Sequence, residues 1–169
     1  VLVFHPVEVL AMDGASSILY PPRRKPRYTI RDLMQLPIMA TSSVVARHIE
    51  GVHFPAWFDP DEGLPGDWAL WLEHARHGDI GYIDRPMSVY RQHAGGIYTS
   101  QPDERAYRLF IYEIPRRVDA EMGYPYRWVI RRAVLALRIR ILVVRYLPFL
   151  VRPLARLRAR VVDQIVRRR

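Results

Sequence analysis

The chain has 169 residues, 50% of them hydrophobic and 11% aromatic, which fits one domain, or one domain with an appendage, and excludes global disorder. It contains no cysteine, so disulfides and thiolate metal sites are excluded. The net charge of +9 is unevenly placed: residues 127–169 hold 13 Arg and one acid, Asp163, for a net +12, and residues 1–126 are net −3. The pattern is a mildly acidic domain followed by a strongly basic tail.

Val1 to Met12 is rich in β-branched and apolar residues, Asp13-Gly14 is a turn signal, and Ser16 to Tyr20 returns as a second strand of a hairpin. The opening residues lack the basic region and cleavage site of a secretory signal, and the chain reads as if it began in mid-domain. Pro21 to Pro26 is a basic, proline-broken loop. Thr29-Ile30-Arg31-Asp32 has the form of a capping box with Asp in place of Glu, opening a helix to about Leu36 that Pro37 ends. Ile38 to Ala46 reads as a buried strand with small hydroxyl residues in its middle.

His48 to Pro65 is irregular, with Trp57 and Phe58 among acids and prolines, as in a loop over a site. Asp67 then caps a helix over Ala69 to His77, with Leu70, Trp71, Leu72 and Ala75 as its apolar stripe and Gly78 as a left-handed stop. Short strands follow at Ile80 to Ile83 and Met87 to Tyr90, closed by Gly95-Gly96. Pro102-Asp103 starts another helix that runs to about Met122 with a kink at Pro115. The tail reads as two helices broken at Pro148 and Pro153. In the first, Val129, Ile130, Ala133, Val134, Leu137, Ile141 and Val144 recur at helical spacing among arginines. No apolar run approaches the roughly 18 residues of a spanning helix.

Several side chains sit at element ends, where they can converge on a ligand. The Asp67 carboxylate serves either as a helix cap or as a general base. His93, after a strand, is either a surface imidazole or a metal ligand. Arg91 suits a bidentate phosphate contact or a structural ion pair. Thr41, Ser42 and Ser43 either line a pocket with hydroxyls or pack in a strand. Trp57 and Trp68 offer faces for stacking a sugar, whereas Trp71 belongs to the helix stripe. His74 and His77 do not follow the zinc-protease order and read as a solvated helix face.

Residues 1–100 resemble the second half of a family 2 glycosyltransferase with the A-type nucleotide-sugar fold. The matching text is Tyr20-Pro21-Pro22, Tyr28-Thr29 to Leu36, Thr41 to Arg47, Phe54-Pro55-Ala56-Trp57-Phe58, Leu64-Pro65-Gly66-Asp67-Trp68-Ala69-Leu70-Trp71-Leu72, His77 to Asp84 and Met87 to Gly96. The resemblance implies an α/β fold: residues 1–100 as the acceptor-side half of the transferase domain, 101–126 as a helical connector and 127–169 as basic amphipathic helices. It implies inverting transfer of a sugar from a nucleotide-diphosphate donor to an acceptor hydroxyl, in polysaccharide or cell-envelope glycan synthesis. Asp67 would be the base, and Thr41, Ser42, Ser43, Trp57, Trp68 and Arg91 would bind substrate. His93 would reach a divalent Mg or Mn ion.

The same resemblance marks a gap. Family members carry an Asp-x-Asp metal motif in a preceding donor-binding half, and this chain has none in a comparable place. Asp59-Pro60-Asp61 lies in the later loop. The expectation is a fragment of a longer enzyme, inactive alone, that acts on a glycan or lipid-linked acceptor. The rival expectation is a non-catalytic membrane-surface or partner-binding protein derived from a truncated transferase. Apolar residues interleaved with arginine place 127–169 on an anionic membrane surface, with the protein peripheral at the cytoplasmic inner face. Nucleic acid is the disfavoured partner, because it would leave the apolar stripe uncovered.

Overall fold

A long apolar segment at the start of the chain is cut by Pro6, which has no amide hydrogen to donate to a ladder. In the computed structural model, which describes residues 1–96 and 104–146, that cut divides two sheets. β1 (Leu2–Phe4) precedes it and β2 (Val7–Leu10) follows it. β2 turns back through Asp13-Gly14 into β3 (Ser16–Leu19), with Val7 opposite Leu19 and Leu10 opposite Ser16. The expected hairpin is therefore present from Val7 onward, while β1 pairs elsewhere.

β4 (Arg27–Tyr28) leads into helix α1 (Ile30–Gln35). The Asp32 carboxylate accepts from the Thr29 amide at 2.8 Å and from the Thr29 hydroxyl at 3.2 Å. Lys25 Nζ donates to both its oxygens at 2.8 Å. Residues 38–46 correct the expected buried strand. Thr41–Ser43 is a single 3-10 turn, and only β5 (Val44–Ala46) is extended, with Val45 and Ala46 exposed. The hydroxyl that would have packed in a strand bonds locally instead: Ser43 Oγ donates to the Ala40 carbonyl at 2.7 Å.

Helix α2 (Gly66–Ala75) is followed by β6 (Ile80–Tyr82) and β7 (Ser88–Arg91). The helix stops before Gly78, whose φ of +155° lies outside the left-handed helical cap expected there. One sheet runs β4-β6-β1-β5, with β1 parallel to β6 and antiparallel to β5; the other runs β3-β2-β7, with β2 parallel to β7. The protein is thus mixed α/β, with two small mixed sheets and several helices.

Helices α3 (Glu104–Phe110) and α4 (Glu113–Glu121) replace the single kinked helix expected to Met122. The break falls at Ile111-Tyr112, ahead of Pro115, because the Pro115 ring crowds the carbonyl four residues back, that of Ile111. The expected start at Pro102-Asp103 lies outside the described residues. Helix α5 (Arg127–Tyr146) matches the first tail helix; the breaks at Pro148 and Pro153 and the second tail helix lie outside the described residues.

The chain divides into two units, residues 1–133 and 134–169, with the boundary inside α5. The first unit holds both sheets and a core in which Leu2, Phe4, Leu33, Met34, Trp68, Leu72, Ile80 and Ile114 are at most 1% exposed. In the second, the described part of α5 exposes Arg138, Arg140 and Arg145 together with Leu135, Ile139 and Leu142. Among the described residues, no helix is long and apolar enough to cross a membrane.

Candidate functional site around Asp67

Asp67 lies in the first turn of α2, one residue inside the helix rather than at its cap, which is Pro65. One carboxylate oxygen accepts from the Trp68 amide at 2.7 Å, satisfying one of the amides that a helix start leaves free. The other accepts a short hydrogen bond from the Thr41 hydroxyl. The carboxylate remains half-exposed. An acid here is also favoured by the positive end of the helix dipole.

The base of this site is tied to its neighbours. The Trp68 indole N–H donates to the Leu33 carbonyl of α1 at 3.1 Å. Its ring meets Tyr112 edge-on at 5.7 Å, and the Tyr112 hydroxyl donates to the Gln35 carbonyl at 2.5 Å. Helices α1 and α2 and the start of α4 are thereby tied together directly behind Asp67. Trp68 is 1% exposed, so its expected role as a sugar-stacking face is corrected: its ring is in the core.

Gly66 permits a second close contact. A Cβ there would lie 2.8 Å from Phe58 and 3.1 Å from Phe54, whose rings stack at 4.8 Å. The irregular loop therefore packs against the residue preceding Asp67. Trp57, in the same loop, is half-buried, with the Arg117 guanidinium over its ring at 5.3 Å and Phe58 edge-on at 6.4 Å. One Trp57 face is thus occupied by a cation.

The Thr41–Ser43 turn lies beside β7, which brings the strand ending at Arg91 to the Asp67 side of the molecule. Arg91 is exposed and has no carboxylate partner among the described residues, so the structural ion-pair alternative is not realised there. Thr41 and Ser42 are exposed; Ser43 is 2% exposed and faces inward. His93 is exposed, two residues beyond β7, and its carbonyl accepts from the Gly96 amide at 3.0 Å. Among the described residues, no three acidic or imidazole side chains converge so as to hold a metal ion.

His74 departs from the expected solvated face. It is 7% exposed and bonds through Nδ1 to the Leu70 carbonyl at 2.9 Å, while His77 is exposed. Sequence reasoning also missed Tyr107 on α3. It is 8% exposed; burial raises its phenol pKa, and the nearby Asp67 charge raises it further. The signal was present in the spacing: Tyr107, Ile111, Ile114 and Val118 recur at helical intervals, and all four are buried.

No family model matches the chain, and no solved structure matches it. Uncharacterized proteins of Mycobacterium bovis and of two strains of Mycobacterium tuberculosis are 36% identical to it over 104 residues. The aligned stretch is 60% of this chain and 29% of each relative. The chain therefore matches less than a third of the length of these relatives.

Proposed function

We propose that this chain supplies the acceptor side of an inverting glycosyltransferase with an A-type fold. The observation that carries the reading is the Asp67 carboxylate: oriented by Thr41 and the Trp68 amide, half-exposed, and backed by a tied helix junction. A base held in this way can take the proton of an acceptor hydroxyl as its oxygen attacks the anomeric carbon. The new carbon–oxygen bond forms on one face of the sugar while the bond to the diphosphate breaks on the other. The nucleoside diphosphate leaves with the electron pair, and the configuration inverts. Asp67 needs no metal for this role. In this reading Arg91 meets negative charge on the donor, and Thr41 and Ser42 meet acceptor hydroxyls.

The acceptor is a glycan or a lipid-linked glycan of the cell envelope, and the protein works at the inner face of the membrane. Support for that setting is the mixture of exposed arginine and exposed apolar residues on α5, the pattern of a helix lying in an anionic interface.

The test is sugar transfer by the longest polypeptide containing this sequence, assayed by release of nucleoside diphosphate with manganese or magnesium supplied. Asp67→Asn is expected to lower turnover by about 100-fold or more with an unchanged circular dichroism spectrum. A folded Asp67→Asn protein that transfers at the wild-type rate would remove Asp67 as the base.

A further inference from the structure

Helices α4 and α5 meet at an elbow. Tyr124 takes a left-handed φ of 69° there, and buried Asp119 fixes the turn. The Asp119 carbonyl accepts from the Tyr124 amide, and its carboxylate accepts from the Tyr126 amide, each at 2.7 Å. Alongside this turn runs a groove lined by Glu113, Arg116, Arg117 and Asp119 from α4 and by Arg127 and Arg131 from α5. Four guanidiniums face two carboxylates.

The charges are not evenly engaged. Arg117 pairs with Glu62 at 2.9 Å and with Glu113 at 3.4 Å, and Arg116 meets Glu113 at 3.6 Å. Arg127 and Arg131 have no carboxylate partner among the described residues. Each lies over an aromatic ring instead, Arg127 over Tyr124 at 4.2 Å and Arg131 over Trp128 at 5.4 Å. Stacking fixes the plane of a guanidinium and leaves its N–H edge to bind. The two residues are four apart, so they share a face.

Both lie in the first two turns of a 20-residue helix that has no acid of its own in its opening turn, the Asp119 carboxylate at the Tyr126 amide being the acid at its start. Cations there oppose the helix dipole and repel one another. An anion held between the two guanidiniums relieves their mutual repulsion and their opposition to the dipole. Trp128 is 71% exposed and Tyr124 is 50% exposed. A soluble anion would leave these rings in water, whereas a membrane interface would receive them.

We propose that the elbow binds the phosphate of an acidic phospholipid headgroup, with Arg127 and Arg131 as the fork and Trp128 entering the interface. The proposal rests on the membrane setting given above and adds a defined headgroup site to it.

The experiment is flotation of the full chain with phosphatidylcholine vesicles, with and without phosphatidylglycerol. The Arg127→Lys/Arg131→Lys pair keeps the charge and loses the fork; Arg138→Lys/Arg140→Lys is the control pair. The elbow pair is expected to weaken binding to phosphatidylglycerol vesicles about tenfold, with the control pair near wild type. If both pairs bind as wild type does, the elbow is not a headgroup site, although the membrane setting stands. If wild type binds neither vesicle, the membrane setting falls and the elbow site with it. Calorimetric titration with glycerol phosphate is the second arm. Binding as tight as to vesicles would assign the groove to a soluble phosphate and overturn the lipid.

Discussion

β1 and β6 lie side by side in one sheet, and their continuations β2 and β7 lie side by side in the other. The two sheets nevertheless depend on different forces. In the first, Leu2, Phe4, Tyr28 and Ile80 are at most 2% exposed, and Phe4, Tyr28 and Tyr82 form an aromatic triangle with centroids 5.0–6.0 Å apart. In the second, all of β3 is exposed, including Ile18 and Leu19, and Val89 of β7 is exposed as well. Side-chain burial holds the first sheet. In the second, Val7 is the one fully buried strand residue, so backbone pairing carries a larger share there.

Substitutions test that division. Phe4→Ala should cost about 3–5 kcal/mol in urea unfolding, the range for emptying a well-packed aromatic site; a cost near zero would mean that the first sheet is not the anchor. Trp68→Phe keeps an aromatic ring but orphans the Leu33 carbonyl, for about 1–3 kcal/mol. Asp32, beside β4, gives a pH-dependent test. Burial raises its carboxyl pKa, but the Lys25 and Thr29 hydrogen bonds outweigh that and hold it below 3.8. Its stabilisation is full above that value and is lost as pH falls through the lower folded one. The stability gap between wild type and Asp32→Asn should therefore narrow below about pH 4; a constant gap would remove the charge from the cap. The smallest effect is expected at Ile18→Thr on exposed β3, within about 0.5 kcal/mol. A larger loss would show that the second sheet is covered by something in solution.

The parts legible in the sequence were those with local causes. Asp13-Gly14 marked the β2–β3 turn, Thr29 and Asp32 marked the start of α1, and the apolar spacing marked α2. The pairing of β1 with β6 was not legible, because it joins residues almost eighty positions apart and no short-range signal encodes it. Trp68 was legible but misread. Trp68, Trp71, Leu72 and Ala75 are spaced for one helix face, and all four are buried, whereas Leu70, assigned to that stripe, is only half-buried. Asp67 was correctly placed at a helix start. Thr41, which bonds to it, and Tyr107, whose phenol feels its charge, come from a turn and a helix that only tertiary packing brings near.

Gly66 carries a mechanical consequence. Because it has no side chain, the Phe54–Phe58 stack rests directly on the backbone that carries Asp67. A side chain at this position would wedge the two apart. Gly66→Ala would therefore be felt first at the turn that carries Asp67.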